Sequence, residues 1–83
     1  MSLAPELLAF QLATARMAHN SLMAACSTYD RAAMLKIAGA TFEVYEKNVV
    51  AALEHGHWPI AVLNINQLNF CNIQILTLLA EYI

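Results

Sequence analysis

Histidine and cysteine are the residues of this chain whose chemistry could support metal binding or catalysis. His55 and His57 flank Gly56, and His19 is the third histidine. Structural zinc is held by a closed set of nitrogen, sulfur or oxygen ligands, and only Glu54 adjoins the pair as a further candidate. We therefore predict no metal site and no cofactor. The simpler interpretation is a helix end, where a histidine interacts favourably with the helix dipole.

A nucleophilic cysteine would need a neighbouring base. Cys26 follows His19 by seven residues, which places both on one side of a helix. A helix interior offers no evident oxyanion hole, so we interpret both cysteines, Cys26 and Cys71, as structural. The carboxylates Glu43, Glu46 and Glu54 fall on a stripe that is typical of a solvated face. We predict that the protein is not an enzyme.

The composition predicts an interface. Of the 83 residues, 60% are hydrophobic and 12% are charged, against about 25% charged in an ordinary soluble domain. A chain this short has too small a core to hide so many apolar side chains, and surplus apolar surface usually marks a partner. We expect a homodimer or an obligate complex with another protein. The alternative is a compact monomer whose surplus is mostly alanine.

The charge of the chain restricts the class of partner, and its cysteine usage indicates the cellular location. The net charge is −2, and the four basic residues are scattered along the chain. Nucleic-acid binding needs clustered basic residues, so we expect no nucleic-acid partner. Two distant cysteines do not indicate a disulfide framework, and the first residues lack the basic and apolar regions of a signal peptide. These features favour a cytoplasmic location.

Periodicity predicts a single all-α domain, residues 1–83, with helices at about 4–26, 28–55 and 59–82. The first helix carries two adjacent apolar stripes, so we expect it to touch two neighbours. One stripe contains Leu8, Leu12, Ala15, His19, Leu22 and Cys26, and the other contains Leu3, Leu7, Phe10, Thr14, Met17, Ser21 and Ala24.

The second helix is the most clearly amphipathic. Ser27 and Asp30 suit a capping box at its start, and Gly56 suits the left-handed residue just past its end. Its charged side holds Lys36, Glu43, Lys47 and Glu54. The predicted buried side holds Met34, Ala38, Thr41, Tyr45, Val49 and Ala52.

The third segment contains the uncharged stretch LNINQLNFCNIQIL, which alternates at first like a strand. The alternation then slips by one residue, and no second strand is available for pairing, so we predict a helix. Residues 60–80 are long enough to span a bilayer, but six amides would need partners in lipid and basic anchors are missing. We expect no membrane span. The segment is better explained as a central helix between its own chain and a partner, with some amides paired across the interface and others facing solvent.

Residues 56–61 read G-x-aromatic-x-x-A and resemble the turn between the two helices of a tetratricopeptide repeat. Tyr45 falls where that repeat has its early aromatic residue, and the resemblance covers one copy, residues 42–75. The chain departs from the repeat at Asn48, Val49, Ala52 and Leu68. The resemblance implies a helical hairpin around Gly56 and a peptide-binding or chaperone role, as in the small repeat-fold chaperones of type III secretion.

Together these features predict a three-helix antiparallel bundle that is completed as a homodimer. We expect a small non-catalytic protein that binds another protein through an apolar helical face, as a regulator, inhibitor or chaperone. A purely structural self-assembling subunit and an export chaperone of the tetratricopeptide type are the alternatives. Trp58 is interpreted either as a corner of the core or as an interface anchor. The predicted interface residues are Leu8, Leu12, Leu22, Trp58, Asn66, Asn69, Phe70, Ile73 and Leu76.

Overall fold

The structure, a computed structural model of the chain, describes residues 4–26 and 32–81 and the side chains of all of these except 32–34. It contains three helices: α1 (Ala4–Cys26), α2 (Ala32–Glu54) and α3 (Trp58–Ala80). Every pair of helices is in contact, which confirms the predicted all-α three-helix bundle. The expected capping residues of the second helix, Ser27 and Asp30, lie outside the described residues.

Helix α1 turns the first of its two apolar stripes toward the bundle. Pro5 and Glu6 occupy its first turn, where a missing N–H costs little and a carboxylate complements the helix dipole. Leu8 and Ala15 are buried, whereas Leu7 and Phe10 of the second stripe are exposed. α1 does contact both other helices, as predicted, but its second stripe faces outward from Leu7 onward; Leu3 lies outside the described residues.

Helix α2 is buried along the heptad line of Leu35, Phe42 and Val49, which are almost fully inaccessible. The expectation that Thr41 lies on the buried side is wrong. Its side chain is exposed, and its hydroxyl donates to the carbonyl of Ile37 at 3.1 Å. The buried face is instead centred one residue further along the chain, on the bulkier apolar side chains of Leu35 and Phe42. Burying these side chains removes more apolar surface from water.

The turn between α2 and α3 is a Schellman motif. The His57 N–H bonds to the carbonyl of Ala52 at 2.9 Å, and the Gly56 N–H bonds to that of Leu53 at 3.3 Å. Gly56 has φ of +70°, the left-handed conformation that this motif requires. Pro59 follows in the first turn of α3, so the chain reverses within a few residues. The helical hairpin expected around Gly56 is therefore present.

Helix α3 lies against both other helices, and it supplies six buried residues: Ala61, Ile65, Leu68, Cys71, Asn72 and Ile75. Leu68 packs in the larger core cluster with Phe42 and Val49, and Ile75 packs in a smaller one with Cys26 and Leu35. The helical prediction for this segment is confirmed. None of the three described helices is both long enough and apolar enough to cross a bilayer.

Candidate interaction surface

One of the six amides of α3 is used inside the bundle. Asn72 is buried and donates from Nδ2 to the carbonyl of Ala15 at 3.1 Å, while its Oδ1 lies 3.1 Å from Nδ1 of His19. A carbonyl can only accept, so the amide nitrogen must face Ala15 and the amide oxygen must face the imidazole. Nδ1 of His19 therefore carries the proton. This pair of hydrogen bonds joins α3 to α1, and the Asn72 amide is used inside the bundle, not at its surface.

His19 is a titratable group in a largely apolar place. Its ring stacks on Phe42 with the centroids 3.9 Å apart and the planes inclined by 7°. Burial lowers the pKa of His19, because desolvation disfavours the imidazolium, and the bond to Asn72 opposes this shift only in part. His19 is consequently a neutral donor that fixes the packing of α1 on α3.

An ion-pair cluster joins α1 to α2 beside the Phe42 ring. The Arg16 guanidinium binds Glu46 in a bidentate manner, with Nε 2.8 Å from Oε2, and its Nη2 donates to Glu43 Oε1 at 2.9 Å. Its Cζ lies 4.8 Å from the centroid of the Phe42 ring. The hydrogen bonds from Arg16 hold the pKa of Glu46 below its usual value. Two of the three glutamates expected on a solvated stripe, Glu43 and Glu46, thus have a structural partner.

The remaining reactive groups are arranged for structure. Cys26 and Cys71 are free and buried, and burial raises the pKa of both thiols, the opposite of an activated nucleophile. His55 and His57 have ring centroids 6.1 Å apart, and Nδ1 of His55 lies 2.8 Å from the carbonyl of Ala51. Across residues 4–26 and 32–81, no three histidine, cysteine, aspartate or glutamate side chains are grouped so that they could hold a metal ion.

The outer face of α3 is an exposed, largely apolar surface without charge. We define it as the exposed residues that recur at steps of three and four on the side away from the core: Leu63, Asn66, Phe70, Ile73, Thr77 and Ala80. Leu63, Phe70 and Ile73 are 64%, 53% and 58% exposed. No residue of α3 carries a formal charge. The face has the spacing that helices use to pack against other helices.

A groove extends this face onto α2. It has a volume of about 530 Å³ and lies between the two helices. Phe70 and Ile73 line it from α3, and Ile37 and Thr41 line it from α2. Every lining side chain that the structure describes is uncharged, and Ile37 itself is 69% exposed. An apolar helix or a bulky side chain could be accommodated here.

The predicted interface residues fall into two groups. Leu8 is buried in the core of the single chain, and Leu12, Leu22 and Trp58 are half-buried against the two core clusters. Five are exposed on α3. Of these, Asn66, Phe70 and Ile73 belong to the outer face, and Asn69 and Leu76 lie one heptad apart on the neighbouring side of the helix.

Sequence reasoning did not single out Leu63 of the outer face or Ile37 of the groove. Leu63 begins a series of residues spaced three and four apart along the sequence. On a helix without charges several such series can be chosen, so the sequence does not favour this one. Ile37 adjoins the charged stripe of α2, so nothing in the sequence linked it to α3.

A scan against protein-family models and searches of curated proteins and of solved structures find no match to this chain. The site must therefore be interpreted from its own residues.

Proposed function

We propose that the protein is a small non-catalytic interaction module that binds protein through the outer face of α3 and the adjoining groove. The observation that carries the proposal is the exposure of Leu63, Phe70 and Ile73 on a helix without a single charge. Proteins that act as isolated monomers rarely expose large contiguous apolar patches, and such patches usually mark binding sites. An apolar helix face beside a groove is a common means of protein recognition.

The chemistry of the interior supports a binding role. The two thiols are buried with raised pKa values, and the buried imidazole of His19 is held between Asn72 and Phe42. These groups are engaged in packing. The free thiols also fit the proposal that the protein works in the reducing cytoplasm.

Site-specific photo-crosslinking in the producing cell tests the proposal. A photoreactive phenylalanine analogue replaces Phe70 in one variant and Ile73 in a second. A third variant carries it at Lys47, which is exposed on the charged side of α2. We expect the two α3 positions to give the same discrete protein adducts, identified by mass spectrometry, and the Lys47 position to give none of them. Identical adducts from all three positions, or none from α3, would contradict the proposal.

A further inference from the structure

We propose that a second copy of this chain covers the outer face of α3, with the two α3 helices packed antiparallel about a two-fold axis. The inference rests on the proposed function, because it names the partner of the same surface. Three features of the described residues support it: the absence of charge on the face, its area and the order of its side chains along the helix.

The absence of charge favours a copy of the same face. A partner of different sequence is usually selected through complementary charges, which also accelerate association. α3 has no charge with which to select such a partner. Two identical faces, by contrast, would normally repel wherever each carries the same charge, and the face of α3 and the described side chains of the groove carry none. A two-fold interface requires such a self-complementary patch.

The area is sufficient only if the groove takes part. The 23 residues of α3 extend about 35 Å, and a helix with side chains is about 10 Å wide. One helix face therefore offers about 350 Å², less than half of the roughly 800 Å² that each partner buries in a stable interface. Including the adjoining side of α2, where the groove residue Ile37 and Val44, one heptad further on, are exposed, doubles the width and brings the footprint to about 700 Å². The interface is thus a four-helix layer, formed by α2 and α3 of each copy.

The order of side chains favours the antiparallel arrangement. With the axis between residues 71 and 72, large side chains oppose smaller ones and the two polar positions oppose each other. The pairs are Leu63 with Ala80, Asn66 with Thr77, and Phe70 with Ile73, each residue facing the other copy. A parallel arrangement would place Phe70 against its own equivalent and would align the two helix dipoles, which the antiparallel one opposes favourably.

The amide of Asn66 then has a defined role. It is exposed in the single chain, and in the dimer it meets the hydroxyl of Thr77, which both donates and accepts. The Thr77 hydroxyl already donates to the carbonyl of Ile73 at 2.9 Å, so its oxygen accepts from the Asn66 side-chain N–H. A buried amide in a helical interface fixes the register of the two chains.

Sedimentation of the full chain across a dilution series, without detergent, tests the partner. We compare the unchanged protein with Phe70→Ser and with a matched control, Phe10→Ser, on the outward stripe of α1, where Phe10 is 68% exposed. The unchanged protein and Phe10→Ser should be dimers. Phe70→Ser should dissociate at least about 100-fold more readily, because the two-fold axis places the lost ring in the interface twice. Far-UV circular dichroism should show all of them equally helical, and Ile73→Lys should reproduce the effect of Phe70→Ser.

Disulfide cross-linking between two cysteine variants tests the antiparallel arrangement of the two α3 helices. Asn66→Cys and Thr77→Cys are mixed under mild oxidation, with the unchanged protein as the control for its two buried cysteines. Each disulfide forms as two thiols lose two electrons and two protons to oxidised glutathione, which is reduced. The antiparallel dimer gives the mixed disulfide, which joins the Asn66→Cys variant to the Thr77→Cys variant, and little of either symmetric product. Predominance of the symmetric products overturns the antiparallel arrangement.

The other outcomes separate this inference from the proposed function. A monomer at every concentration overturns the inference, and so does a dimer that Phe10→Ser dissociates, whether alone or together with Phe70→Ser. If Phe70 and Ile73 then still crosslink to a different protein, the proposed function stands and only its partner changes. If they crosslink to nothing, both fail.

Discussion

The buried pair of His19 and Asn72 gives a prediction that can be worked through in energies. Replacing Asn72 by leucine keeps the volume but removes the acceptor of the imidazole N–H. The carbonyl of Ala15 keeps its ordinary helical partner, so the main loss is one unsatisfied nitrogen of a histidine that is 3% exposed. An orphaned buried polar group costs about 1–3 kcal/mol, and the added apolar burial offsets part of this. We expect Asn72→Leu to lower the free energy of unfolding by about 1–2 kcal/mol.

The double-mutant cycle isolates the pair itself. His19→Phe preserves the flat ring stacked on Phe42 but orphans the Asn72 amide oxygen, so we expect a loss of similar size. When both are replaced, no buried polar atom of the pair is left without a partner, and such a replacement is nearly neutral. The double variant should therefore be more stable than the sum of the single effects by about 2–4 kcal/mol, which is the two single losses together and lies at the upper end of the range for residues in contact.

Urea unfolding followed by far-UV circular dichroism measures these values, at one fixed protein concentration and at about pH 8, where the imidazole is neutral in both states. Asn64→Leu provides the matched control. Asn64 lies on the same helix, about 12 Å from Asn72 along the axis, and bonds to Asn48 and to the carbonyl of Ile60 instead. Combined with His19→Phe it should be additive. Additivity of Asn72→Leu with His19→Phe, within about 0.5 kcal/mol, would refute the assigned hydrogen bond.

Four further predictions concern pH and the two glycines. In the unfolded chain His19 takes up a proton below about pH 6.5, whereas in the folded chain it does so only at lower pH. The free energy of unfolding should therefore decrease as the pH is lowered below about 6.5 and stay constant above it. Urea titrations of His19→Phe should not show this decrease. The pKa of Glu46 is lowered in the folded chain, so a second decrease in the free energy of unfolding should begin below about pH 4.5, where the carboxylate of the unfolded chain takes up a proton. This second decrease should be absent in Glu46→Gln. Gly56→Ala should destabilise by about 1 kcal/mol, seen as a lower melting temperature, because the left-handed backbone is strained for any residue with a Cβ. Gly39→Ala should instead raise the melting temperature through a gain of about 0.5 kcal/mol in helix propensity. Its Cβ would come closest to the flexible end of Met23, at 3.1 Å, and would be in ordinary van der Waals contact with His19 Nε2, at 3.8 Å. A lower melting temperature would contradict this.

The helices and the hairpin were predictable because their signals are local. Gly56 and Pro59 act within a few residues of themselves, and the motif they form follows from backbone geometry alone. The orientation of each helix was less predictable. On α2, small residues such as Ala38 and Thr41 suit a buried or an exposed position equally, so the pattern predicts a buried face about one residue away from Phe42.

The use of Asn72 was not predictable from the sequence. Six amides on one uncharged helix are equivalent in composition, and burial of one depends on what α1 brings against it. The small side chain of Ala15 lets α3 come close enough for its carbonyl to bind the amide. His19, one turn further on, supplies the second partner. These are long-range contacts, which no periodicity within α3 records.

Solvent accessibility of individual methyl groups tests most directly whether the outer face of α3 is covered. In the single chain, Ile73 of this face and Met17 of the α1 stripe are both well exposed, at 58% and 70%. A soluble paramagnetic chelate added to the purified protein broadens the nuclear resonance signals of methyl groups that it can reach. We expect the Met17 methyl signal to broaden while the Ile73 methyl signals stay sharp, like those of buried Ile75, and we expect Phe70→Ser to make the Ile73 signals broaden. Equal broadening of Ile73 and Met17 in the unchanged protein would contradict the claim that a second copy covers this face.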